Sequence, residues 1–204
     1  MIQKSKIFIG TFCFIFLLFY FYGYAQAHPH VWIDPGIKFI FSSNALEGLN
    51  LTYTFDEMYS TMELIQFDKN KNGRLEEKEK ELLGKQILEE IKGSNYCIHL
   101  KDGSRNILVA PQIADINIEE DERLSLTLKI SYNVLLDNSD KIIAVSVYDK
   151  NYYYEIMNPS EETVTVEGKN YIHYSLQFNE DDQESYYYDQ FYPTYIIIKF
   201  KKRS

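Results

Sequence analysis

His28-Pro29-His30-Val31-Trp32-Ile33-Asp34 sets two imidazoles and a carboxylate within seven residues, directly behind Ala25-Gln26-Ala27. Small residues in that A-x-A pattern are what a signal peptidase reads, so cleavage after Ala27 makes His28 the first mature residue. A terminal amine titrating at about 8 and imidazoles at about 6.5 both shed protons near neutrality and become nitrogen donors for Ni2+, Co2+ or Zn2+. The amine and ring of His28 can chelate together, and His30, two residues on in an extended segment, points to the same side. Pro29 has no amide hydrogen, which excludes the square-planar site built from successive deprotonated amides. A further ligand must come from elsewhere in the chain. Asp56 and Asp149 lead a set that also contains Glu57, His99 and His173. The plainer alternative is that the histidines only begin a strand and hydrogen-bond locally.

A second donor set runs from Asp68 to Glu79, DKNKNGRLEEKE. Its spacing fits a twelve-residue EF-hand loop. Asp68, Asn70 and Asn72 offer side-chain oxygens at positions one, three and five, and Gly73 makes the turn at six. Arg74 gives its carbonyl at seven, Glu76 acts at nine, and Glu79 closes the cage at twelve. Calcium takes such hard oxygens. Two asparagines and the lack of a paired second hand place the expected affinity at about 10⁻⁴ to 10⁻³ M, a structural rather than sensing site. A polar turn between two helices is the plainer alternative.

The elements that must hold these residues are mostly strands. Val31 to Phe41 is β-branched and aromatic with a break at Pro35-Gly36, and Leu49 to Phe55 alternates. The period then becomes helical: Met58, Met62 and Ile65 predict one amphipathic helix, and Leu82, Leu83, Ile87, Leu88 and Ile91 a second, closed by Gly93. Short strands resume around turns at 101–104, 149–151 and 167–168, and around an acidic turn after Ile118, with a last strand from Thr194 to Phe200. The fold expected is α+β, an antiparallel β-sandwich-like sheet with a helix-loop-helix (EF-hand-type) insertion over 56–92, within a single domain of residues 28–204.

Of the 204 residues, 45% are hydrophobic and 25% charged, which excludes disorder and a polytopic membrane protein. Lys and Arg total 21 against 30 Asp and Glu, a formal charge of -9, so nucleic acid is a poor partner. Lys4 and Lys6 precede an apolar run from Ile7 to Tyr22, whose 16 residues fall short of the roughly 20 that span a bilayer. Residues 1–27 therefore read as a signal peptide, and the mature protein as periplasmic or secreted with no transmembrane segment of its own. Cys13 leaves with that segment, so Cys97 has no intramolecular disulfide partner. Eighteen tyrosines, clustered at 152–154 and 186–188, suit a contact surface. No nucleophile elbow, phosphate loop or dinucleotide fingerprint is present, and no enzyme is expected.

His28 to Asp34 resembles the amino-terminal motif of a bacterial exported family, domain of unknown function 1007, often described as the periplasmic component of an uncharacterised ABC-type transport system. Tyr53-Thr54-Phe55-Asp56-Glu57-Met58-Tyr59-Ser60 is similar to its W-T-F-D-E-x-[FY]-S segment, the 68–79 loop to its D-x-[DN]-x-[DN]-G stretch, and Tyr148-Asp149-Lys150-Asn151-Tyr152-Tyr153 to its Y-D-P-T-Y-Y. The chain departs at Tyr53, where Trp is usual, and at Lys150-Asn151, where Pro-Thr is usual. The resemblance implies metal handling beside a membrane cation transporter. Together these readings predict a periplasmic divalent-metal-binding accessory protein of a cation transport system. The rivals are a calcium-stabilised secreted interaction module without transition metal and, third, a copper oxidase chelating through His28.

Overall fold

The computed structural model describes residues 30–203. Of these, 48% lie in strands and 19% in helices. Among the described residues eleven strands form two sheets, and there are two α-helices. The chain opens with β1 (Val31–Phe41) and β2 (Ala45–Phe55), then α1 (Glu57–Phe67) and α2 (Glu77–Lys92). There follow β3 (Ile98–Asp102), β4 (Arg105–Ile107), β5 (Gln112–Ile118), β6 (Leu124–Leu135) and β7 (Lys141–Val147). The last four are β8 (Tyr154–Ile156), β9 (Val164–Glu167), β10 (Ile172–Glu180) and β11 (Thr194–Lys202). One sheet has the order β5-β6-β2-β1-β8 with β9 also on β1; the other runs β10-β11-β7-β3-β4.

The alternating pattern of β1 does what period-2 hydrophobicity dictates: Val31, Ile33, Ile37, Phe39 and Phe41 are buried, while Trp32, Asp34 and Lys38 face water. Pro35-Gly36 does not break it. The strand passes straight through and keeps its register with Tyr53 and Thr52. Both sheets feed one core, joined for example by the edge-on contact of Phe41 with Phe200 at 4.9 Å.

Three expectations fail here. The α+β sandwich with an EF-hand-type insertion is replaced by a mostly β protein in which α2 is part of the core. Leu83, Ile87 and Ile91 are fully buried, and Gly84 lies so close to β5 that a Cβ would meet Ile116 Cδ1 at 2.5 Å. Purely antiparallel pairing also fails, because β8 and β9 both run parallel to β1. The turns at 149–151 and 167–168 accordingly make no hairpins; each carries the chain from one sheet to the other. At the second crossing Gly168 has φ +74, and a Cβ there would meet the Phe41 carbonyl at 2.1 Å, so only glycine fits. Finally, α1 is inverted relative to its apolar period: Tyr59, Ser60 and Glu63 are buried, whereas Met58, Met62 and Ile65 are 59%, 63% and 77% exposed.

Candidate functional site

Three segments far apart in sequence meet where β1 begins. The His30 amide donates to the Tyr153 carbonyl at 3.0 Å, and the His30 ring lies 5.1 Å from that of Tyr153. One residue pair further in, the Trp32 amide donates to Asp56 Oδ2 at 2.8 Å and the Asp56 amide to the Trp32 carbonyl at 2.9 Å. Parallel pairing of Val31–Ile33 with Tyr154–Ile156 completes the junction.

Asp56 also caps α1, its Oδ1 accepting from the Tyr59 amide at 2.9 Å. A carboxylate there meets orphan amides and the positive end of the helix dipole. Its neighbours in the 53–60 segment are equally committed. The Tyr53 hydroxyl, fully buried, donates to the Tyr96 carbonyl at 2.9 Å, and the Ser60 hydroxyl accepts from the Leu124 amide at 2.9 Å.

Asp149 is 1% exposed. Its Oδ1 accepts from Ser94 Oγ at 2.7 Å and the Asn151 amide at 3.0 Å, and its Oδ2 from the Tyr153 amide at 2.9 Å and the Tyr154 amide at 3.3 Å. A buried charge is tolerated when it collects this many donors. The carboxylate therefore shapes the crossover from β7 to β8 and delivers Tyr153 and Tyr154 to β1.

Of the expected transition-metal ligands, His28 lies outside the described residues, His30 is exposed at the junction, and Asp56 and Asp149 have turned both oxygens to amides or a hydroxyl. Among the described residues no group of three or more His, Cys, Asp or Glu is placed to hold a metal ion. His173 is exposed on β10. His99 stacks on Tyr148 with centroids 3.9 Å apart, and its Nε2 is buried with no partner among the described residues. Burial first, then the nearby Lys150 charge, pushes its pKa down to about 4, so the ring is neutral across the physiological range. Tyr148 in turn donates to Glu184 Oε1 at 2.6 Å. Against the burial that raises it, hydrogen bonds from Tyr148, Tyr195 and Lys101 hold the Glu184 carboxyl below its ordinary range.

Between the helices, the 68–79 stretch folds its oxygens onto its own amides. Asp68 accepts from Asn72 and Gly73, Asn70 from Asn72, Asn72 from Arg74, and Glu79 from Lys69 and Glu76, at 2.7 to 3.1 Å. Asn70 Nδ2 donates to Glu76 Oε1 at 2.8 Å. Gly73 takes the left-handed conformation, φ +73. Glu79 and Glu76 form a reciprocal capping box at the start of α2. The oxygens are gathered on one short loop, but as turn and cap acceptors.

Sequence reasoning missed an open depression of about 600 Å³ beside the junction, lined by Trp32, Asp56, Glu57, Met58, Met62 and Glu122. The signal for Trp32 was the outward phase of β1. For the methionines there was none, because a helix with apolar residues at 58, 62 and 65 predicts that those residues face the core. No helix among the described residues is long and apolar enough to cross a membrane.

The profile of a family described as "Protein of unknown function (DUF1007)" matches residues 13–197, a span that includes the 28–34, 53–60, 68–79 and 148–153 segments. No curated protein matches the chain.

Proposed function

The chain belongs to the DUF1007 family, and we propose that it is an exported cation-binding accessory protein whose mature amino terminus carries the ion. One observation supports the reading above the others. Three of the chain's distinctive segments, 30–34, 53–60 and 148–154, meet at the start of β1, where Tyr153 accepts from the His30 amide, Asp56 from the Trp32 amide and Asp149 from the Tyr153 amide. Asp56 and Asp149 act in this reading as positioning residues rather than ligands. The donors are the amine and imidazole of His28 with the imidazole of His30, a nitrogen set suited to Ni2+, Co2+ or Zn2+. Coordination sites left open by so short a chelate suit a carrier that passes its ion on, and a membrane cation transporter is the partner this reading assigns.

Calcium is the second ion in the proposal. Asp68, Asn70, Asn72, Glu76 and Glu79 with the Arg74 carbonyl form a hard-oxygen set, and a carboxylate oxygen that accepts from an amide keeps lone pairs free for a cation. Bound there, calcium ties the end of α1 to the start of α2.

Calorimetric titration of the mature protein with Ni2+, Co2+ and Zn2+ tests the main reading. His28→Ala/His30→Ala is expected to remove one equivalent of transition metal while leaving the melting temperature unchanged; retention of that equivalent refutes the site. A second reading, a secreted interaction module without transition metal, is favoured by the exposed face of Trp32, Met58, Met62 and Ile65. It predicts capture of a protein partner that Met58→Lys/Met62→Lys abolishes and that chelators leave intact.

A further inference from the structure

Strand edges with free amides and carbonyls pair with other strands unless something blocks them, and three of the four edges here are blocked. β4 has three residues and carries Arg105 on Asp102 at 3.2 Å. β5 is kinked by a bulge between Ile113 and Asp115 and is packed against α2. Along the far side of β1 lie only β8 and β9, of three and four residues.

β10 is different. Its nine residues pair with β11 in unbroken register from Ile172 opposite Lys202 to Glu180 opposite Thr194, and its other side pairs with no described strand. It contains no proline, lysine, arginine or bulge, the usual devices for guarding an edge. His173, Tyr174, Ser175, Gln177 and Asn179 are exposed, and Leu176 and Phe178 are only partly covered.

We propose that β10 is a dimerisation edge, pairing antiparallel with β10 of a second copy of this chain about a two-fold axis centred near Leu176. Two features of the strand are self-complementary. In that register Tyr174 stands opposite the partner's Phe178 and Leu176 opposite its own copy, so the half-covered apolar groups of the core face close on one another. The charges also match. Exposed Lys169, Lys201, Lys202 and Arg203 cluster at the start of β10, and exposed Glu180 and Asp182 at its end. An antiparallel copy sets each basic end against the partner's acidic end, with the partner's Glu180 in one row with Ile172 and Lys202. A parallel copy would oppose like charges. The result is a continuous ten-stranded sheet with an isologous interface.

Light scattering coupled to size-exclusion chromatography tests this on the mature chain. The wild type is expected to elute as a dimer. Ser175→Lys/Gln177→Lys sets lysines of the two copies opposite each other on the exposed face, and is expected to give a folded monomer with unchanged circular dichroism. Glu180→Lys/Asp182→Lys should weaken the dimer by about tenfold or more, and adding Lys201→Glu/Lys202→Glu should restore it. A monomeric wild type, a dimer that survives the lysine pair, or a charge reversal that is not restored overturns the proposal.

Discussion

Replacing Asp149 by Asn keeps the shape of the side chain and removes its charge, which separates a positioning role from a ligand role. As the carboxylate, Asp149 satisfies three backbone amides and one hydroxyl at 2.7 to 3.3 Å while 1% exposed. In Asp149→Asn one orientation of the amide faces its NH2 toward the part-buried Tyr153 amide and the buried Tyr154 amide, leaving two donors opposed. The flipped orientation opposes only the Asn151 amide, because Ser94 Oγ can turn to accept. Asn151 is exposed, so water offsets part of the cost of its opposed amide, but the bonds that remain lose their charge assistance, and the cheaper flip destabilises by about 1–3 kcal/mol. That is a sizeable share of the 5–15 kcal/mol typical of a domain. Urea unfolding followed by circular dichroism measures it, and transition-metal stoichiometry of the folded variant should equal that of the wild type. A loss of stability below about 1 kcal/mol, or loss of metal with stability intact, refutes the reasoning.

Acid should destabilise the protein through His99. Its folded pKa of about 4 lies below the ordinary 6.5, so between those values the unfolded chain binds the extra proton and stability falls as pH falls, by up to roughly 3 kcal/mol at the lower end. Urea midpoints against pH should show this slope in the wild type and a shallower one in His99→Phe. Glu63 is 8% exposed with Oε2 unpartnered among the described residues, and burial followed by the Glu90 charge raises its pKa. Its ionisation therefore costs stability as pH rises, and Glu63→Gln should raise the melting temperature at neutral pH; a lower one counts against the assignment. Millimolar calcium should raise the melting temperature, and Asn70→Ala, which removes one oxygen of the loop, should cancel that rise.

What the sequence disclosed followed from period and local chemistry. The alternation of Leu49 to Phe55 announced that Leu49, Leu51, Tyr53 and Phe55 face the core. The pairing of distant strands was not legible, because a turn such as 149–151 looks the same whether it closes a hairpin or crosses between sheets. Only the amides that Asp149 collects decide between them. The inversion of α1 has a similar cause: the hydrogen bonds of Tyr59 to Glu90 and of the Leu124 amide to Ser60 hold that face inward, outweighing the apolar period. At the site, residue types that suit metal coordination also suit capping. Asp56, Asp149 and the 68–79 acceptors show that such oxygens are also used by nearby amides, which no spacing rule records.

Elemental analysis of the protein isolated from the periplasm without chelators, on a sample whose amino terminus is fixed by mass spectrometry, tests the central claim most directly. The account predicts a chain beginning at His28 and carrying close to one equivalent of nickel, cobalt or zinc. A chain that retains residues 1–27, or a mature chain free of all three metals, contradicts it.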